Sequence, residues 1–85
     1  GVTNVDLLYR DDIRIYPNPA GQVLYVDAPA VVNITISSIE GKVVASYNSV
    51  KVADIGFIAD GIYIVRVTDS NQTLLLVEKL IKGKY

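Results

Sequence analysis

Apolar and polar residues alternate one for one along most of this chain, and no other feature limits its fold so tightly. The run "VVNITIS" puts Val32, Ile34 and Ile36 on one face and Asn33, Thr35 and Ser37 on the other, the pattern of a strand with one buried side and one wet side. The same period recurs in "QVLYVDA", where Leu24 and Val26 oppose Val23, Tyr25 and Asp27, and in "IYIVRVTD", where Tyr63, Val65 and Val67 share a face. No segment carries a 3.6-residue apolar stripe over three turns, so the class is all-β. "IRIY" reads as a short first strand, "KVVASYN" as the fourth, "VKVADI" as the fifth and "LLLVEKLIK" as the last. Turn residues separate them: Pro29 ends the second strand, Gly41 stands where a hairpin requires positive φ, Gly61 follows "FIAD", and "DSNQ" is a polar turn. About seven short strands with turns every 8–12 residues predict a seven-stranded Ig-like antiparallel β-sandwich, with a small barrel as the alternative.

A local spacing supports the sandwich. In "DGIYIV", Gly61 stands two residues before Tyr63 at the start of a late strand, the arrangement in which a corner tyrosine bonds back to the backbone where the chain crosses between sheets. An ordinary core tyrosine after a turn fits the same residues. At the other end of the domain, "IYPNPA" sets Pro17 and Pro19 around Asn18. Each proline fixes its own φ and pushes the preceding residue out of the helical region, so the segment is extended or turning and cannot be a central strand. It reads as a stiff boundary between a polar leader and the domain.

Eighty-five residues make one domain at most, and a chain of this size buries roughly 60–65% of its unfolded surface. With 51% hydrophobic and 20% charged residues the chain is too apolar to be disordered. A formal charge of −1 gives no reason to expect nucleic acid as a partner. The apolar runs "LLLV" and "IYIV" are far short of the roughly 18–20 residues of a membrane span. The chain begins "GVTNVD" and contains no methionine, so it is expected to be a piece of a longer precursor. Residues 1–12 are expected to be a linker from an upstream cargo domain, and 13–85 the folded domain.

Reaction chemistry is sparse. Without His or Cys, Ser-His-Asp and Cys-His catalysis and His-rich zinc sites are excluded. Glu40, Asp54, Asp60 and Asp69 fall in or beside predicted turns and read as solvated turn acids. Asp11, Asp12 and Asn18 lack the spacing of a calcium loop. The expectation is therefore no catalytic residue, no metal and no cofactor. Asn33 and Asn71 begin sequons of the glycosylation type, a pattern that short chance matches reproduce.

In order along the chain, "YPNPA", "LYV", "VNITISSIEGKVV", "ADGIYIVRV" and "EKLIK" resemble the C-terminal sorting domain of the bacterial type IX (Por) secretion system, over roughly residues 13 to 82. The resemblance implies an Ig-like sandwich at the end of a secreted protein of Bacteroidetes-type bacteria, an address without an activity. It implies passage through the periplasm and then delivery by an outer-membrane type IX translocon to the cell surface or the extracellular space. A sortase-like peptidase is implied as a second partner, removing the domain and attaching the cargo to surface lipopolysaccharide. Carried over by position, the family's front motif falls on Tyr16, Pro17, Asn18 and Pro19, its mid-domain turn on Gly41 and Lys42, its late Gly-x-Tyr on Gly61 and Tyr63, and its terminal motif on Lys79, Leu80, Ile81 and Lys82. Processing is expected upstream of Tyr16, before about Asp12. Gly56 stands where the family commonly has serine, and Gly83, Lys84 and Tyr85 run past the usual terminal lysine.

The last strand adds an expectation of its own. Leu75, Val77 and Ile81 would lie on one face and Leu74, Leu76 and Leu80 on the other. A strand apolar on both faces is either central or offered to a partner, and strand addition by the translocon is expected there. The alternative function is a carbohydrate-binding or adhesive Ig-like accessory module of an extracellular enzyme. That reading asks for a platform of exposed aromatics from a chain with six Tyr, one Phe and no Trp.

Overall fold

Two antiparallel sheets lie face to face, each with its alternating apolar side turned inward. The computed structural model describes Leu7, Leu8 and residues 12–83. Seven strands follow in order: β1 (Arg14–Tyr16), β2 (Val23–Asp27), β3 (Val32–Ser38), β4 (Val43–Val50), β5 (Val52–Asp54), β6 (Gly61–Thr68) and β7 (Leu74–Lys82). One sheet has the order β1-β2-β5 and the other β4-β3-β6-β7. The all-β sandwich read from the alternation is the observed fold, and it is compatible with an Ig-like plan. The first expected strand is shorter by one residue, because Ile13 makes only an isolated bridge before β1.

The inward rows follow the period of two. Leu24, Ile34, Ile36, Val65, Val67, Leu76 and Leu80 are all essentially inaccessible to solvent, joined by Ile55 from the turn after β5. Burying each such side chain contributes about 1.5–3 kcal/mol, so these rows dominate what holds the sheets together. β4 runs into β5 through Lys51 alone, and the Lys51 carbonyl accepts from the Val26 amide at 2.8 Å. That single residue carries the chain from one sheet to the other. The Tyr47 phenol ties the same corner by donating to the Asp54 carbonyl at 2.6 Å.

β7 departs from its expected faces at one end. Leu76 and Leu80 do point into the core, but Leu74 is 42% exposed while Leu75 packs against the core. The cause is a register shift in the β6–β7 ladder between Val67 and Thr68, since one displaced residue exchanges the two faces of a strand. Nor is β7 central: among the described strands it is the last of its sheet, with β6 as its one strand neighbour.

Candidate functional site

The outer edge of β7 is covered by the front of the chain. The Asn18 carboxamide carries one acceptor and two donors, the same kinds of group a peptide unit offers, and uses both kinds against β7. Its Oδ1 accepts from the Ile81 amide at 3.0 Å, and its Nδ2 donates to the Lys79 carbonyl at 2.8 Å and to Glu78 Oε2 at 3.2 Å. Two residues on, the Ala20 amide donates to the Ile81 carbonyl at 2.8 Å, and the Gly83 amide donates to the Ala20 carbonyl at 2.9 Å. Upstream, Leu8 and Val77 exchange both backbone bonds, at 3.0 and 2.9 Å. Two pieces of chain, one at Leu8 and one holding Asn18 and Ala20, therefore stand in for a neighbouring strand. The peptide bonds before Pro17 and Pro19 are both cis.

This geometry corrects the expectation that β7 offers its edge for strand addition. Strand addition needs unpaired backbone donors and acceptors, and on β7 those of Val77 and Ile81 are occupied by the chain itself, as are the Lys79 carbonyl and the amide of Gly83 just past the strand. It also changes the reading of "YPNP", which is a clasp on the final strand as well as a stiff boundary. Within the expected linker, Leu8 is paired to Val77, while residues 1–6 and 9–11 lie outside the described residues.

The late Gly-x-Tyr motif adjoins the terminal one. Gly61 sits opposite Lys82, and Tyr63 opposite Leu80, in the β6–β7 ladder. Gly61 has φ of 157°, which a Cβ would strain. The Tyr63 phenol reaches back four residues to donate to the Ala59 carbonyl at 2.7 Å, the bond expected of a corner tyrosine. Lys82 points inward with its side chain only 8% exposed, and its ammonium lies 3.6 Å from Asp60 Oδ1. Leu80 belongs to the core.

Gly41 and Lys42 close the β3–β4 hairpin. Gly41 has φ of 96°, the Gly41 amide donates to the Ser38 carbonyl, and the Ser38 amide donates to the Lys42 carbonyl at 2.8 Å. Because Ser38 pairs with Tyr63, this hairpin stands at the same end of the sheet as Gly61 and Lys82. It is on the far side, however, across the full order β4-β3-β6-β7. The structure thus joins the front, late and terminal positions in one cluster and leaves the mid-domain turn apart from it. Tyr16 faces away, stacked on Tyr25 with ring centroids 5.4 Å apart on the outer side of the three-stranded sheet.

Sequence reading passed over Ala20, Asp60 and Glu78. Ala20 acts through its backbone and leaves no mark in residue type. Asp60 reads as a solvated turn acid and Glu78 carries no mark of its own, since only the tertiary pairing brings them to Lys82 and Asn18.

Fold and cluster together define a class: a small sandwich module whose organised features are clamps between stretches of its own polypeptide. A family model of the secretion system C-terminal sorting domain matches residues 14–83. The chain belongs to that family, and is a C-terminal sorting domain of the type IX secretion class. The family is not a catalytic one, and its members serve export to the cell surface or the extracellular space. No curated protein and no solved structure matches the chain.

Proposed function

We propose that residues 13–85 are the address of an upstream cargo joined through residues 1–12, read by an outer-membrane type IX translocon after periplasmic transit. The observation that carries this reading is the Asn18 clasp, which makes the family's front and terminal motifs one physical unit. A reader that grips Lys79, Ile81 and Lys82 thereby also senses the boundary at Tyr16, Pro17, Asn18 and Pro19. Gly61 and Tyr63 position the strand beside it, and Gly41 with Lys42 offers a second, separate contact. A sortase-like peptidase then removes the domain by cutting before about Asp12, upstream of the clasp. No covalent chemistry is asked of the domain itself.

The test is delivery of a reporter carrying a standard export signal and residues 1–85 at its C-terminus, in a bacterium with a type IX system. Surface or medium delivery is expected with the domain and periplasmic retention without it. Retention of both, with the domain shown to be folded, overturns the reading. The alternative, carbohydrate binding, is favoured by one feature: Tyr16 and Tyr25 form a stacked, half-exposed aromatic pair. A glycan array probed with the wild-type domain and with Tyr25→Ser decides it, since a sugar site there must lose its signal in the variant.

A further inference from the structure

The cleft beside Lys82 contains an arrangement that the clasp does not use. An ammonium carries three hydrogen-bond donors, and Lys82, with its side chain 8% exposed, has Asp60 Oδ1 at 3.6 Å, too far for a hydrogen bond. Asp60 is itself 74% exposed, so its carboxylate swings into water at little cost. The lysine opens onto a cleft of about 260 Å³ whose walls include Gly21, Gly56, Ile58, Asp60 and Gly83. Three of the cleft's eight lining residues are glycines, which lets another polypeptide backbone come close. The volume is below the roughly 300–1,000 Å³ of pockets for drug-sized ligands and suits one or two side chains.

Phe57 stands between Gly56 and Ile58, both of which line that cleft, and it is 71% exposed. Its turn is stiff. Ile55 is fully buried and Ile58 nearly so, the Ile55 amide donates to the Gln22 carbonyl, the Ile58 amide to the Ile55 carbonyl, and the Gly56 amide to Asp54 Oδ1 at 3.0 Å. A lone exposed apolar residue needs no explanation. An aromatic ring held out on a fixed turn whose two flanking residues wall the cleft is different, because anchors of this type lose little entropy on docking.

We propose that the cleft receives one carboxylate of a partner polypeptide on Lys82, while Phe57 enters an apolar pocket of that partner. A single carboxylate is the matching charge, since it takes the place of the Asp60 carboxylate on the lysine with the same charge. The partner acts during export, so the proposal rests on the sorting reading and names the contact it would use.

Two measurements test it. In the reporter assay, Phe57→Ala leaves the thermal midpoint within about 4 °C of wild type, because the ring is exposed, and lowers surface delivery at least tenfold. Lys82→Gln lowers it similarly and Lys82→Arg retains most of it. If the wild-type domain delivers and Phe57→Ala delivers equally well, the docking proposal fails while the address stands; if the wild-type domain does not deliver, the address itself fails. In solution, the folded domain is titrated with acetyl-Leu-Glu-Leu-amide and with its Gln counterpart while the amide signals of Gly21, Gly56 and Gly83 are followed. The Glu peptide is expected to bind at least fivefold tighter, with the preference lost in Lys82→Gln. Equal binding of the two peptides, or none, overturns the carboxylate site.

Discussion

The two edges of the four-stranded sheet are finished in different ways. On β7 the backbone groups at Val77 and Ile81, with the amide of Gly83 just past it, are taken by Leu8, Asn18 and Ala20. Among the described residues β4, at the other edge, pairs with β3 alone, and it has no charged residue from Val43 to Val50. An edge of that kind invites pairing with other chains, yet β4 is blunted by its own backbone. Its ladder with β3 slips between Ile36 and Ser37 and again between Val32 and Ile34, with the extra residue on β4 each time. Bulges twist an edge away from a flat partner. One edge is thus protected by local irregularity, and the other by a clasp that draws on residues 60 or more positions distant. The difference shows where the fold invests its long-range contacts, namely on the strand that carries the terminal motif.

The sharpest way to break this comparison is to empty the core beneath β7. Leu80 is 1% exposed, and Leu80→Ala should cost about 2–5 kcal/mol, a large share of the roughly 5–15 kcal/mol that holds a small domain folded. On β4, Val43 is 55% exposed, and Val43→Ala should fall within about 0.5 kcal/mol. Urea unfolding of the two variants measures the contrast. Equal losses would mean that the edges are equivalent.

Next in size is the clasp itself. Asn18→Ala removes three hydrogen bonds to β7, each contributing about 0.5–1.5 kcal/mol net, and an exposed site sits at the low end. A total loss of about 1–2 kcal/mol is expected, with the Ile81 amide exchanging with solvent much faster and the buried partners of β3 unchanged. Asn18→Asp should do no better, because it keeps the acceptor for Ile81 but places a carboxylate against Glu78 and the Lys79 carbonyl. Hydrogen exchange at Ile81 that is indifferent to both variants would show that the β7 edge does not depend on the clasp.

Much of this architecture is legible in the sequence, because strand faces obey a period of two and the inward rows of β2, β3 and β6 never break it. Leu74 and Leu75 were misplaced because a bulge is a property of a pair of strands, and nothing in "LLLVEKLIK" marks the slip that Val67 and Thr68 introduce. The prolines of "YPNP" announce a stiff boundary, since φ restriction is local. What Asn18 does is not local: its partners lie at the other end of the chain, and a surface asparagine in a turn looks the same whether it clasps a strand or faces water. The cleft at Lys82 was hidden for the same reason. A terminal lysine reads as solvated until Gly21, Gly56 and Gly83 are seen around it.

The β4 corner offers a pH test. Burial, and secondarily the Asp54 carboxylate, push the Tyr47 phenol above its ordinary pKa, so the folded state holds that proton more tightly than the unfolded chain does. This contribution is fully present below the unfolded value of about 10 and is lost as pH rises through the folded value. Tyr47→Phe should cost about 1 kcal/mol near neutrality through the lost bond to the Asp54 carbonyl. The gap between the two proteins should then narrow as the medium becomes alkaline beyond about pH 10. A gap that stays constant across that range would mean that the phenol titrates alike in both states.

The smallest expected effect has the opposite sign. Ser49 holds φ of 56° at the second irregularity of β4, a left-handed conformation that costs a non-glycine residue free energy. The Ser49 amide donates to Asn33 Oδ1 at 3.0 Å, and this bond runs through the backbone, so glycine would keep it. Asn33 is in turn held by its Nδ2 on the Asp69 carbonyl at 3.3 Å, which keeps the acceptor in place. Ser49→Gly should therefore relieve the strain without loosening the turn, against which stands the larger freedom glycine has in the unfolded chain. The balance is a gain of a few tenths of a kcal/mol, readable as a slightly higher denaturation midpoint with an unchanged slope. No position on the clasped edge of β7 should tolerate glycine in this way, because Lys79 to Lys82 lie in regular ladder register opposite β6. There glycine in a strand interior costs about 0.5–1 kcal/mol relative to alanine. A stabilising glycine on β4 beside a destabilising one on β7 would show that β4 protects its edge with a strained kink and β7 with partners.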